Sequence, residues 1–154
     1  MTSRQYILLA AAGSAALLLG AFMFQALGYA PCAICLWQRW PHAAAVAIGV
    51  IAYGLNMRGL AWLGALAALT TGGIGVYHTG IERGWWNGPE SCTSSGDGFG
   101  DLSASALLPG ADVAPVVLCD EVVWELLGLS MASWNASASF ALALVWIYGA
   151  TSLD

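Results

Sequence analysis

Long apolar segments separate the few charged positions of this sequence. No Asp, Glu, Lys or Arg lies between Arg4 and Arg39, or within residues 40–57, 59–81 and 126–153. A helix that crosses a bilayer needs about 20 mostly apolar residues. We therefore predict an all-α membrane protein, a single domain over residues 1–154 built as a four-transmembrane-helix bundle. Its spans are expected near residues 6–27, 41–55, 60–77 and 134–150.

The connections between these spans set the expected topology. A short polar turn at residues 56–59 predicts that helices 2 and 3 form an antiparallel hairpin, and four spans place both termini on one side. The first apolar run exceeds the roughly 7–15 residues of a secretory signal core, so we expect it to stay as a span. Pro41 cannot sit unnoticed in a regular helix. It either begins helix 2 or kinks a longer helix that starts upstream.

Composition supports lipid as the main solvent. Only 8% of the 154 residues are charged, 59% are hydrophobic, and mean hydropathy is +0.73, whereas soluble domains carry about 25% charged residues. The net charge is −5 and lysine is absent. Nucleic-acid binding, which needs clustered Lys and Arg, is therefore excluded as a function.

Residues 82–133 differ in composition and are predicted to be the main extramembrane loop. Eight of the nine acidic residues lie between Glu82 and Glu125, and turn-forming Gly, Ser, Pro and Asp are dense at 87–91 and 94–98. Residues 116–129 mix apolar and acidic side chains and are too short to span. They fit either a short helix along the membrane interface or an ordinary connecting turn anchored by Trp124 and Trp134.

Four cysteines are the strongest chemical signal. Cys32 and Cys35 form a C-x-x-C motif after the first span, and Cys92 and Cys119 lie 27 positions apart in the predicted loop. With four spans, all four face one compartment. C-x-x-C is typical of redox pairs and of half-sites for zinc, although zinc usually takes two closely spaced pairs. We favour redox chemistry, with a Cys₄ metal site and two inert structural bridges as alternatives.

Arg39 follows Cys35 by four positions. On a helix these two side chains share a face. A guanidinium there could stabilise a thiolate or the charge developing on a reduced quinone oxygen. An arginine near a helix end can also simply extend to the interface. Beside a C-x-x-C motif we favour the functional interpretation.

With the C-x-x-C-x-x-x-R motif after span 1 and the later cysteine pair between spans 3 and 4, the sequence resembles the DsbB family of disulfide-generating membrane proteins. Residues 119–129, followed by Met131 and Trp134, also resemble that family's segment after the last loop cysteine. The resemblance extends over nearly the whole chain. It implies a quinone-dependent oxidoreductase of the bacterial inner membrane, with cytoplasmic termini and its cysteines on the periplasmic side.

The resemblance also implies a mechanism and roles for the cysteines. A soluble, periplasmic DsbA-like thioredoxin-fold oxidase would attack a Cys92–Cys119 disulfide, forming a mixed disulfide at Cys92. Electrons would then pass to a Cys32–Cys35 disulfide and on to ubiquinone or menaquinone. Cys35 would face the quinone, and Arg39 would stabilise its charged form.

Two histidines leave further functions open. His78 ends the third span at a position where the DsbB family often carries a quinone-proximal histidine, and Glu82 could orient it. His42 and His78 could instead be axial ligands of a haem, which would make the chain a haem- or metal-binding subunit.

A reductase of the vitamin-K-epoxide type also uses C-x-x-C in a four-helix bundle. Its relay cysteines usually precede that motif, whereas here they follow it. A purely structural role would leave the cysteines dispensable.

Overall fold

The computed structural model describes residues 1–89, Cys92 and residues 117–152. Four long helices account for most of them: α1 Ser3–Ala26, α2 Ala33–Gly54, α3 Ala61–Glu82 and α4 Met131–Thr151, with a 3-10 turn, Arg58–Leu60, before α3. The only strands in the described ranges are β1 Glu125–Leu126 and β2 Leu129–Ser130, which pair antiparallel. The prediction of a mostly helical chain is confirmed. The Gly- and Ser-rich stretch at 94–98 lies outside the described residues.

The four helices pack in a ring, each against its two neighbours, while α1 and α3 contact each other only slightly. Small residues dominate the buried core, which is typical of helix contacts in lipid because small side chains let backbones approach closely. Trp146 of α4 fills the centre of this core and is fully buried. The alanines around it are Ala10, Ala11, Ala45, Ala52, Ala61, Ala65, Ala68 and Ala143.

Large apolar side chains cover the outside of the ring. Leu19, Val50, Leu66 and Leu144, one from each helix, are all more than half exposed. Within the described residues, two helical segments are long and apolar enough to cross a membrane, Ser3–Ala26 and Arg58–Glu82. An apolar exterior over a core of small residues is the arrangement expected for a bundle surrounded by lipid.

Helix α2 begins earlier than the predicted residue 41, and Pro41 lies inside it. Cys32 is the N-cap, and its sulfur accepts a hydrogen bond from the Cys35 N–H at 3.2 Å. This cap starts the helix because it satisfies one of the N–H groups left free in the first turn. Pro41 removes the bond that its own nitrogen would donate to the Trp37 carbonyl. Of the two alternatives for Pro41, the longer helix is the observed one.

The segment after the later cysteine pair is not helical. Residues 117–130 contain the β1–β2 hairpin, so the proposed interfacial helix is absent over the described part of 116–129 and the connecting-turn alternative fits. The reason is local: Leu127 and Gly128 have φ of 55° and 75°, which no right-handed helix accepts. Two consecutive positive φ values are those of a type I′ hairpin turn. The hairpin leads directly into α4, whose N-cap is Ser130.

Close packing at the centre predicts a strong position dependence for glycine substitutions in α3. A Cβ added at Gly64 would lie 2.5 Å from the Trp146 indole, whereas one added at Gly73 meets nothing within 4 Å. We expect Gly64→Ala to lower the free energy of unfolding by about 1–3 kcal/mol, as for other overpacked cores. Gly73→Ala is the matched control and should be neutral or stabilising, because alanine favours helix. Unfolding in detergent micelles measures both; equal stability would contradict the packing described for Trp146.

Candidate active site

The start of α2 brings the two sulfurs of the C-x-x-C motif together. Both are free thiols in this structure, with Cys32 Sγ 2.7 Å from Cys35 Sγ. Capping of the helix by the Cys32 sulfur holds the two side chains on the same side of the first turn. Cys32 is buried and Cys35 is half-buried.

Cys92 and Cys119 form a disulfide with a Cα–Cα distance of 5.2 Å. The Cys119 N–H also donates to the Cys92 carbonyl. Both residues pack with Cys32, Ile34 and Ile81 in one buried cluster, and Cys119 has no exposed surface. The disulfide and the C-x-x-C motif, far apart in sequence, are thus parts of a single cluster at one end of the bundle.

His78, near the end of α3, contacts this cluster through Nε2 and contacts Gln38 through Nδ1. Its Nε2 is 3.5 Å from Cys32 Sγ and 3.8 Å from a carboxylate oxygen of Glu82, one turn later on the same helix. Its Nδ1 is 3.1 Å from the Gln38 side-chain nitrogen. The Ser130 hydroxyl donates to the other Glu82 oxygen. The pairing of His78 with Glu82 that the sequence suggested is therefore present.

A buried polar network extends from His78 across the bundle to α4. The Asn135 side-chain nitrogen donates to Gln38 Oε1 at 2.7 Å and to the Thr71 hydroxyl at 3.2 Å. Asn135 Oδ1 is 2.9 Å from His42 Nε2, and the Ser139 hydroxyl lies 3.5 Å from the same nitrogen. Sequence reasoning missed Gln38 and Asn135. Polar side chains inside predicted spans are costly and are often functional, and that signal could have identified both.

Arg39 lies on α2 one turn after Cys35, as the spacing predicted, but its guanidinium contacts α1. It donates to Gln25 Oε1 at 2.7 Å and to the Ala21 carbonyl at 3.3 Å, and it lies over the Phe22 ring at 4.9 Å. Its Nε is buried with no hydrogen-bond partner among the described residues. The side chain therefore holds the end of α1 against α2 and keeps one N–H free.

An apolar cavity of about 370 Å³ connects these groups. It lies between the ends of all four helices and the hairpin that follows Cys119. Aromatic and aliphatic side chains form most of its wall, including Leu17, Phe24, Trp124, Met131 and Trp134. The polar side chains that reach it include Cys32, Cys35, Arg39, His42, His78 and Glu82. Most functional candidates from the sequence therefore border one cavity.

The surroundings of Cys32 favour its thiolate. The hydrogen bond from the Cys35 thiol lowers the pKa of Cys32 most, and His78 lowers it further; together they outweigh burial, so the pKa falls to about 5. A thiolate is the nucleophile in thiol–disulfide exchange. The thiolate of Cys32 should therefore persist well below the pH at which an ordinary cysteine is protonated.

This lowered pKa predicts an unusual pH profile for alkylation of the reduced protein. Because the folded pKa is depressed, the rate at Cys32 should stay nearly constant from pH 8 to 6 and fall only near pH 5. Iodoacetamide labelling followed by peptide mass spectrometry measures it. Cys35→Ala lacks the main hydrogen bond that stabilises the thiolate, so the pH at which the alkylation rate of Cys32 is half-maximal should rise. The same midpoint measured on protein in denaturant is the reference for an ordinary cysteine. A wild-type midpoint near that of the denatured protein would contradict the prediction.

The geometry also bears on the metal alternatives. The Cys92–Cys119 bond removes two cysteines from any Cys₄ zinc set. Cys32, Cys35 and His78 do place their ligand atoms within 4.8 Å of one another, which is close enough for a three-ligand site. Haem ligation by His78 would require breaking a contact, because both of its ring nitrogens have partners.

Comparison with known proteins agrees with these observations. The family model described as Disulfide bond formation protein DsbB matches residues 3–149. Disulfide bond formation protein B of Polaromonas sp. is 26% identical over 159 residues, covering 99% of this chain and 93% of the relative. The protein of the same name from Verminephrobacter eiseniae is 30% identical over 145 residues, covering 87% of this chain and 78% of the relative. Disulfide bond formation protein B 2 of Pseudomonas aeruginosa is 37% identical over 118 residues (70% and 66%).

No solved structure matches the chain significantly. The family match nevertheless extends over all four helices and both cysteine pairs. It agrees with the resemblance inferred from the cysteine and arginine spacing. The chain belongs to the DsbB family and is a membrane oxidoreductase that forms disulfide bonds.

Proposed function

We propose that this chain reoxidises a periplasmic, DsbA-like thioredoxin-fold oxidase and passes the electrons to a membrane quinone, either ubiquinone or menaquinone. One observation carries the proposal: the Cys92–Cys119 disulfide packs in the same buried cluster as the C-x-x-C motif, at the edge of an apolar cavity. Two redox pairs and a site for an apolar acceptor are thus adjacent.

The first step is thiol–disulfide exchange with the partner. A partner thiolate attacks the Cys92 sulfur, and the Cys119 thiolate leaves. The second partner thiol then attacks the mixed disulfide and releases Cys92. The partner gains one disulfide, and Cys92 and Cys119 gain two electrons and become a dithiol.

The second step moves the same two electrons within the chain. The Cys92 and Cys119 thiols exchange with a Cys32–Cys35 disulfide, which restores the Cys92–Cys119 bond and leaves Cys32 and Cys35 as a dithiol. Packing of both pairs in one cluster supports this exchange, since sulfurs must approach to bonding distance. When the attack falls on Cys35, Cys32 leaves as a thiolate, and His78 Nε2, 3.5 Å from its sulfur, can stabilise that charge.

The cavity residues fit a quinone head group. The wall is mostly apolar, which suits a flat hydrophobic ring. The buried Nε of Arg39 has no hydrogen-bond partner in the described part of the chain, and a quinone oxygen could provide one. A bound quinone would supply the acceptor for two electrons and two protons. Cys35 would donate from the dithiol, Arg39 would stabilise negative charge, and His78 would hold a proton at Nε2 beside Cys32.

We further propose that all four helices span the bacterial inner membrane, with cytoplasmic termini and periplasmic cysteines. Helices α2 and α4 have 22 and 21 residues, and at 1.5 Å per residue each is about 32 Å long, close to the thickness of a bilayer core. The cavity and the cysteine cluster lie at the end where α1 and α3 finish. That end is opposite both termini of the chain.

The test is anaerobic quinone reduction by purified protein supplied with a reduced DsbA-like oxidase. We expect one quinone reduced for each partner dithiol oxidised, with no reduction when the partner is already oxidised. Decylubiquinone and a soluble menaquinone analogue distinguish the two quinone classes. A protein that reduces neither quinone would contradict the proposal, and stoichiometric zinc or a Soret absorbance band in that protein would favour a metal or haem subunit.

A further inference from the structure

A second buried histidine borders the cavity and has no part in the relay described above. His42 lies on α2 inside the bundle and is only 3% exposed. Its Nε2 contacts Asn135, but its Nδ1 is buried without a hydrogen-bond partner among the described residues. An unpaired buried ring nitrogen is costly unless something else satisfies it. His42 is also one of the cavity-lining residues.

The surrounding network fixes which nitrogen of His42 carries the proton. The Thr71 hydroxyl donates to the Gln38 backbone carbonyl at 3.1 Å, so it accepts from the Asn135 side-chain nitrogen. That nitrogen donates to Gln38 Oε1 as well. Asn135 Oδ1 therefore faces His42, and because an amide oxygen only accepts, His42 Nε2 must donate.

A neutral imidazole with its proton on Nε2 has a lone pair on Nδ1 and can only accept there. A quinone carbonyl is itself an acceptor and cannot pair with this nitrogen, whereas the hydroxyl of a hydroquinone can donate a hydrogen bond to it. Arg39, which also lines the cavity, offers the opposite chemistry, since its Nε–H has no hydrogen-bond partner among the described residues and can only donate. The polar groups of the cavity thus differ in which oxidation state of a quinone they can bind.

We propose that His42 Nδ1 accepts a hydrogen bond from a hydroxyl of the reduced head group, so that the cavity binds hydroquinone more tightly than quinone. This inference rests on the proposed function. The overall exchange converts the Cys32–Cys35 dithiol and a quinone into a disulfide and a hydroquinone, and the two thiol hydrogens become the two hydroxyl hydrogens. A contact made only by the hydroquinone favours the products of that reaction.

Binding in a chemically inactive background tests the proposal. In Cys35→Ser protein under anaerobic conditions, tryptophan quenching by decylubiquinone and by its hydroquinone gives the two affinities without turnover. We expect the hydroquinone to bind about tenfold tighter, the scale of one hydrogen bond. His42→Phe should abolish this preference and leave quinone affinity unchanged, whereas His42→Gln, which restores an acceptor, should recover part of it.

Ser14→Ala is the matched control. Its hydroxyl is also buried with no hydrogen-bond partner among the residues that the structure describes, but Ser14 is not one of the cavity-lining residues. The preference for hydroquinone should therefore stay. Loss of both affinities together in His42→Phe, or an unchanged preference, would overturn the inference.

A second measurement needs no substitution at His42. The chain has only two histidines, so ¹⁵N labelling of the imidazoles resolves each ring nitrogen. Hydroquinone should shift the Nδ1 resonance of His42, and quinone should not; no shift with either would also overturn the inference. If wild type reduces quinone and the preference is absent, only the His42 assignment fails. If wild type neither binds nor reduces quinone, both proposals fail.

Discussion

Replacing Cys92 by serine is expected to abolish partner-driven quinone reduction while sparing reduction driven by a small dithiol. Without the Cys92–Cys119 bond the partner thiolate has no disulfide to attack, so the rate should fall by ~100-fold or more. Dithiothreitol is small enough to react with a Cys32–Cys35 disulfide directly, since Cys35 is only half-buried and both sulfurs border the cavity. Quinone absorbance followed anaerobically with each reductant measures both rates.

The serine substitution leaves Cys119 as a stray thiol, which could attack other disulfides. Cys92→Ser combined with Cys119→Ser removes it and should behave as the single variant does. Equal loss with both reductants would mean that the substitution damages the cluster rather than one step. Partner-driven reduction at the wild-type rate would show that the partner reacts elsewhere, and would contradict the proposed entry point.

Replacing Cys35 by serine should stop turnover after a single exchange. The Cys92–Cys119 disulfide is intact in this variant, so one equivalent of partner should still be oxidised. No Cys32–Cys35 disulfide can form, so quinone reduction should fall by ~100-fold or more with either reductant. The reaction is stopped with acid, and the oxidised and reduced forms of the partner are separated by mass. Their ratio gives the number of partner molecules oxidised per molecule of this protein.

Wild-type protein with both disulfides closed is the reference for this count. Without quinone it should oxidise two equivalents of partner, one for each disulfide, against one for Cys35→Ser. Absence of any oxidation by Cys35→Ser would mean that partner attack requires the C-x-x-C pair first. Continued turnover would remove Cys35 from the path to the quinone. The first result would reverse the proposed order of the two pairs, and the second would contradict the proposed role of Cys35.

The apolar pattern was sufficient to predict four helices, but it did not give all their ends. Charged residues mark the ends of the apolar runs, and the helices follow those runs closely. In lipid the backbone N–H and C=O groups must pair with one another, and a helix pairs them within the segment. The start of α2 was misplaced because Pro41 was weighed as a helix start, whereas the cap at Cys32 determines it. The hairpin at Leu127 and Gly128 was missed because a leucine at positive φ carries no turn signal.

Some residues of the candidate site could likewise be identified from the sequence, whereas the contacts between helices could not. The cysteines, Arg39 and His78 could be singled out because their residue types or spacings are unusual in an apolar chain. The contact of Gln38 with Asn135 joins residues 97 positions apart and depends on how α2 faces α4. The contact of Arg39 with Gln25 depends on how α1 faces α2. No periodicity within one helix encodes such orientations.

The two-residue turn of the β-hairpin restricts which sequence changes this chain can accept at that point. Glu125 pairs with Ser130 across the turn, and Ser130 both caps α4 and donates to Glu82. A single-residue insertion or deletion would shift the pairing by one and turn Ser130 away from both tasks. The chain should therefore tolerate substitution at Leu127, which is 85% exposed, and should accept only Gly, Asn or Asp at position 128. A change in the length of the turn should be more damaging than either substitution.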